Sequence, residues 1–170
     1  VIHAIAGGFA LGVLLVLGPR LGKFAADGTP RNINPHNPWL VTVGLFLIYT
    51  GFWGFYVACN IPIIDVYGPA MLDVPDKTFF SATNIYLQPT TLSMLIGAGG
   101  AVLAYKMHYW VERRFKIDDA VGAVAVHGYA GFYGIVMAGF MLWGYPSSPF
   151  EGYAAISPWG NFLGALMMFF

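Results

Sequence analysis

The sequence predicts an all-α fold, a polytopic bundle of membrane helices organised around an inverted-topology repeat. Three observations predict it. The 170 residues are 58% hydrophobic and 9% charged, where a soluble domain is about 45–50% apolar and about 25% charged. The apolar residues gather into runs close to the length that crosses a bilayer. A short histidine-containing pattern occurs twice, on runs whose flanking charges orient them in opposite directions.

Composition excludes several classes at once. Eight acidic and eight basic side chains cancel to a net charge of +0. Nucleic-acid binding calls for a basic excess, so none is expected. Disorder calls for low hydrophobicity. The single cysteine, Cys59, leaves no internal disulfide. A soluble fold with buried helices is the alternative, and it fails for want of charged residues to cover such helices. The expected solvent is a lipid bilayer.

The runs are Val1–Gly18, Trp39–Ala58, Thr91–Val111 and Ala120–Tyr145, with a fifth from Ile156 to Phe170. A span needs about 20 mostly apolar residues, because about 30 Å of hydrocarbon is crossed at about 1.5 Å per residue. The second and fourth runs qualify outright. The third carries Lys106 and His108 near its last turns, where a lysine snorkels toward headgroups. The first lacks the basic flank and cleavage site of a signal peptide. Val1 is not an initiator methionine and the chain ends within an apolar run. The expectation is therefore a single transmembrane domain over residues 1–170, part of a longer one.

Loop charge orients the spans. If they alternate, one side holds Arg20, Lys23, Arg31, Arg113, Arg114 and Lys116, and the other only Lys77. The positive-inside rule makes the basic side cytoplasmic. The first and fourth spans then run in opposite directions. Between the second and third lies Ile61–Thr90, a long proline-bearing connection on the outer side.

The repeat lies on those opposed spans. Val1-Ile2-His3-Ala4-Ile5-Ala6-Gly7 matches Ala125-Val126-His127-Gly128-Tyr129-Ala130-Gly131. Opposed similar segments are the mark of inverted repeats, with the substrate path between them. Counted from Ala120 as a helix start, His127 lies about 10 Å into the hydrocarbon. A single intramembrane histidine is as often a packing residue as a functional one. Two in a shared motif favour a proton path. His36, in the turn Pro35-His36-Asn37-Pro38, and His108 suit structural or interfacial roles. No pair of histidines has the close spacing of a metal motif, and neither metal nor cofactor is expected. The aromatic run Thr50-Gly51-Phe52-Trp53-Gly54-Phe55-Tyr56 is either an interfacial belt or a pore constriction, and its two glycines tilt toward the second.

Five pieces in order resemble the ammonium transporter / Rhesus family: Val1–Gly7 with Leu17-Gly18-Pro19-Arg20, Pro35-His36-Asn37, Gly51-Phe52-Trp53-Gly54-Phe55, Ile117-Asp118-Asp119 with Val126-His127-Gly128, and Ser157-Pro158-Trp159-Gly160. The resemblance implies an eleven-span homotrimer in the cell membrane, not an enzyme, with one hydrophobic path per subunit. Ammonium, or its analogue methylammonium, loses its proton on entering and crosses as ammonia. It implies that His3 and His127 are the twin histidines of the pore and that Phe55 is the inner gate phenylalanine. Phe52 and Trp53 fall beside that gate, in inverted order relative to the family. Cys59 falls where many members carry a vestibule serine. Asp118 and Asp119 match the acidic pair before the second histidine. A cytoplasmic PII-type protein is the partner the family suggests. Four spans that precede the first histidine in the family are missing, and one span stands where the family has three, with the break expected near Ser93-Met94. An ammonium sensor on the same scaffold and a non-conducting membrane fragment are the alternatives.

Overall fold

The computed structural model describes residues 2–67, 89–144 and 152–169, with the side chains at 53, 55–67, 89–93 and 169 outside the described set. The helices are α1 (Ile2–Leu17), α2 (Pro38–Tyr67), α3 (Pro89–Phe115), α4 (Ala130–Met141) and α5 (Pro158–Phe169), with a π-helical turn, Val124–Tyr129, leading directly into α4. Among the described residues a single β-bridge joins Phe24 to Pro30. The all-α expectation stands.

Local chemistry sets the helix ends. α1 stops at Gly18, whose φ of 71° suits glycine, and the Gly18 N–H donates to the Leu14 carbonyl at 3.0 Å. Pro19 then blocks continuation. α2 begins where the sequence predicts. The Asn37 side-chain oxygen accepts the N–H groups of Trp39 at 3.0 Å and Leu40 at 3.2 Å, and Pro38 takes the first helical position. α5 begins the same way, with Ser157 Oγ accepting the Gly160 N–H at 3.1 Å.

The fourth run does not start as a helix at Ala120. A turn closed by Gly122 N–H to Asp119 C=O, 3.2 Å, with Gly122 at φ 72°, precedes helical backbone at Ala123. A helical rise counted from Ala120 therefore does not measure the depth of His127.

The π turn and α4 form the hub. α1 and α3 pack on both, and α5 packs on α1 and α4. Among the described residues, α2 shows no substantial packing against the other helices. The core is made of small side chains. Ala4 and Ala165 are fully buried, and Ala104 and Ala125 nearly so, beside Val124 and Val111. Such residues let helix backbones approach closely, as membrane helices do. Gly99 and Gly100 on α3 receive the Tyr133 ring of α4. A Cβ on Gly99 would come 2.5 Å from the Tyr133 hydroxyl.

Outer faces are apolar and open. Phe9, Val16, Trp39, Phe46 and Leu47 are all exposed, as expected of helices that meet lipid or further protein. Among the described residues, one continuous helix, Val124–Met141, is long and apolar enough to cross a bilayer. α1 and Pro38–Phe52 are shorter apolar segments.

The crossing of α1 with the π turn depends on two glycines. A Cβ on Gly7 would overlap Gly128 N and Cα and lie 2.7 Å from the His127 carbonyl carbon. A Cβ on Gly131 would lie 3.1 Å from Ala4 N and 3.5 Å from the His3 carbonyl carbon. Gly7 meets 127–128 while Gly131 meets 3–4. Positions advance along one segment as they retreat along the other, so the two run antiparallel, as the loop charges predict.

Overpacking a fixed core costs about 1–3 kcal/mol, and backbone opposite Gly7 cannot rotate away. Gly7→Ala is expected to lower the thermal midpoint of the detergent-solubilised protein by several degrees or abolish the folded peak in size-exclusion chromatography. Gly12 has nothing within 4 Å of the position its Cβ would take. Gly12→Ala should hold or raise the midpoint, since alanine gains about 0.5–1 kcal/mol over glycine inside a helix.

Candidate functional site

The glycine crossing delivers His3 and His127 to one another. Their Nδ1 atoms are 2.9 Å apart. The ring planes differ by 11° and the centroids are 5.0 Å apart. The centroids are further apart than the nitrogens by nearly two ring radii, so the rings meet edge to edge, close to one plane. At this distance one Nδ1 donates and the other accepts. Both rings carrying a proton there would collide, and both lacking one would repel. In the neutral pair one proton therefore lies between the rings, and the two outward Nε2 atoms differ: one is N–H, the other a lone pair.

Position follows from α1. Fourteen residues separate His3 from Leu17, about 21 Å of helix, so the pair lies far from the basic loop that follows α1. His127 is carried on the π turn, in which the Ala130 N–H donates to the Ala125 carbonyl. A π turn holds one residue more than an α turn and rotates the succeeding helix by about 100°. Such turns recur at functional sites. No period in the sequence announces it.

Asp118 and Asp119 separate in role. Asp118 is buried and accepts three bonds from Arg20: backbone N–H at 3.0 Å, Nε at 2.7 Å and an Nη at 2.8 Å. The Arg20 guanidinium bonds hold the Asp118 carboxyl below the usual carboxylate range, and the carboxylate raises Arg20 in turn. Asp119 Oδ2 accepts the Ala125 N–H at 3.0 Å, capping the start of the π turn. The same oxygen is 3.8 Å from His108 Nδ1.

The charges counted as loop signals make a clasp. Lys23 and Glu112 form a buried ion pair. Lys116, at φ 58°, donates from Nζ to the Gly28 carbonyl and lies 5.7 Å over the Phe24 ring. These contacts bring the loop after α1 and the loop after α3 to one end of the bundle, the pairing that alternation of the spans predicts. Arg20, Lys23, Glu112 and His108 were not singled out by the sequence as site neighbours. Charge balance between the two basic loops and the acids beside them was the one available signal.

Of the aromatic candidates, only the Phe52 side chain is among the described residues. Phe52 lies on α2 and is half exposed. The side chains of Trp53, Phe55 and Cys59 lie outside the described residues, as does the Ser93 side chain beside the expected break. His36 is exposed in the loop before α2. Among the described residues no group of three His, Cys, Asp or Glu side chains could hold a metal ion.

Comparison with known proteins is consistent along the chain. The model of the Ammonium Transporter Family matches residues 1–75 and 78–167. The ammonium transporter Amt2 of Archaeoglobus fulgidus is 28% identical over 209 aligned positions, covering 98% of this chain and 43% of that protein. Amt2 of Methanocaldococcus jannaschii is 27% identical over 166 positions, covering 83% and 39%. Ammonium transporter 1 member 4 of Arabidopsis thaliana is 28% identical over 119 positions, covering 70% and 23%. The chain thus spans less than half the length of these curated relatives. The 209 positions of the first alignment exceed the 170 residues of the chain, so that relative has residues without a counterpart here. No solved structure matches significantly.

The Arg20–Asp118 pair yields a pH prediction. A carboxyl lowered in the folded state contributes stability above its unfolded pKa and loses it as pH falls through the folded value. Stability from Asp118 should therefore be full at neutral pH and be lost below the ordinary value of 3.8. Asp118→Asn is expected to cost about 1.5–3 kcal/mol at pH 7, the range for bonds to charged groups, and to flatten the acid limb of thermal midpoint against pH.

Proposed function

The chain belongs to the ammonium transporter family, and from that premise we propose that it lines part of a conducting path for ammonium in a cell membrane, with His3 and His127 as the proton-handling pair. The observation that carries the proposal is the 2.9 Å Nδ1–Nδ1 contact between opposed repeats.

The chemistry follows from the shared proton. Bare ammonium is costly in an apolar path, whereas neutral ammonia is cheap. An ammonium ion beside the lone-pair Nε2 gives that atom its proton and leaves as ammonia. The ring is then imidazolium. Transfer of the bridging proton across the Nδ1 atoms moves the positive charge to the second ring, whose Nε2–H is then acidic. One proton enters at one Nε2 and one leaves at the other, so the count balances. The pair ends with its tautomers exchanged. Histidine suits the task because its ordinary pKa lies near neutrality.

The finer assignments belong to the same proposal. Phe55 acts as gate, with Phe52 and Trp53 beside it lowering the cost of bringing in a cation through their ring faces, and Cys59 lies in the outer vestibule. The basic end faces the cytoplasm, where a PII-type protein would dock, and three copies form the functional unit. Asp118 acts structurally through Arg20. The family match breaks between residues 75 and 78, inside the long connection. We place the discontinuity relative to the longer relatives there rather than at Ser93-Met94.

The test is an ammonium-evoked current in proteoliposomes, compared with sodium and potassium pulses. A saturable current selective for ammonium is expected. His127→Ala should lower ammonium flux about 10²-fold, the low end of what a positioned proton-transfer group contributes. An unchanged rate and pH dependence in that variant would remove the pair from the relay. Ammonium binding without flux would identify a sensor instead.

A further inference from the structure

We propose that His108 is a positioning residue for His127, acting through Asp119: when charged, it fixes the carboxylate that caps the π turn. The proposal rests on the reading of His3 and His127 as the relay.

Asp119 Oδ2 serves two groups at once. It accepts the Ala125 N–H at 3.0 Å, two residues before His127, and faces His108 Nδ1 at 3.8 Å. That separation is too long for a neutral hydrogen bond and suits an ion pair. The side chains are only 23% and 10% exposed, so the attraction is weakly screened. Charged and neutral His108 therefore hold Asp119 differently.

The surroundings leave His108 this role. Arg20 is committed to Asp118, and Lys23 to Glu112. Among the described residues, no lysine or arginine pairs with Asp119, so His108 is the basic group that faces it. The other groups near the pair are Tyr109 on the same helix, edge-on to His108 at 5.0 Å, Glu112 one turn on, and Tyr129 on the π turn, coupled to the Asp119 charge. None supplies a second positive charge. α3 packs on the π turn, so His108 reaches from a separate helix onto the element that carries His127.

The sign is set. A charged His108 draws Asp119 into place and tightens the cap. When His108 loses its charge, the cap loosens and His127 loses alignment with His3.

The experiment measures ammonium flux against pH on the basic-loop side in proteoliposomes, together with hydrogen exchange over residues 120–129. The wild type should show flux falling several-fold as the pH on that side rises, and exchange that accelerates beyond the intrinsic base-catalysed rate. His108→Gln should remove both transitions and sit at the high-pH level. His108→Lys, permanently charged, should remove both and sit at the low-pH level. A transition retained in either variant would overturn the proposal. If His108→Gln does not fold, His108→Lys decides alone. If the wild type does not conduct, the relay reading fails separately, and exchange over 120–129 still decides whether His108 holds the cap.

Discussion

The bundle depends on one contact, the antiparallel crossing of α1 with the π turn and the start of α4. Glycine makes it possible twice over. Gly7 lets α1 touch the backbone at 127–128, and Gly131 lets α4 approach the backbone at 3–4. The two contacts are related by the same repeat that carries the histidines. Each glycine lies four residues after its histidine, about one helical turn. The crossing that seats each glycine therefore also sets the two imidazoles edge to edge. The histidine pair and the packing that creates it are written in one motif.

The opposite end is held by charge. Arg20 with Asp118 and Lys23 with Glu112 join the end of α1 and the loop after it to α3 and the loop before the π turn. Three of these four charges are withdrawn from solvent. Asp118, Glu112 and Lys23 are all buried, where removing one partner costs far more than the pair itself is worth. The crossing near His3 and the clasp after Leu17 brace α1 from both ends. A helix braced at two points has little freedom to slide, and a hydrogen bond of 2.9 Å between ring nitrogens tolerates little sliding.

Among the described residues, α2 packs little on the hub, and the outer faces of α1 and α2 are apolar and open. The chain spans less than half the length of its relatives. Small-residue packing inside and large apolar side chains outside is the arrangement expected where lipid or neighbouring protein replaces water.

Much of this was legible along the chain, because it is governed by local rules. Apolar run length announced helices. Asn37-Pro38 and Ser157-Pro158 announced helix starts, and Gly18-Pro19 a stop. The duplicated His-x-x-x-Gly pattern announced two equivalent histidines on opposed segments. The tertiary structure alone decided which groups meet. Arg20 and Asp118 are 98 residues apart in sequence, and no spacing rule connects them. The π turn is a matter of one extra residue, fixed by packing against α1 and by the Asp119 cap rather than by propensity. The link from His108 through Asp119 to Ala125 joins α3, a loop and the π turn. Such links depend on how distant segments pack in three dimensions, whereas sequence periodicity reports only how each segment folds on itself.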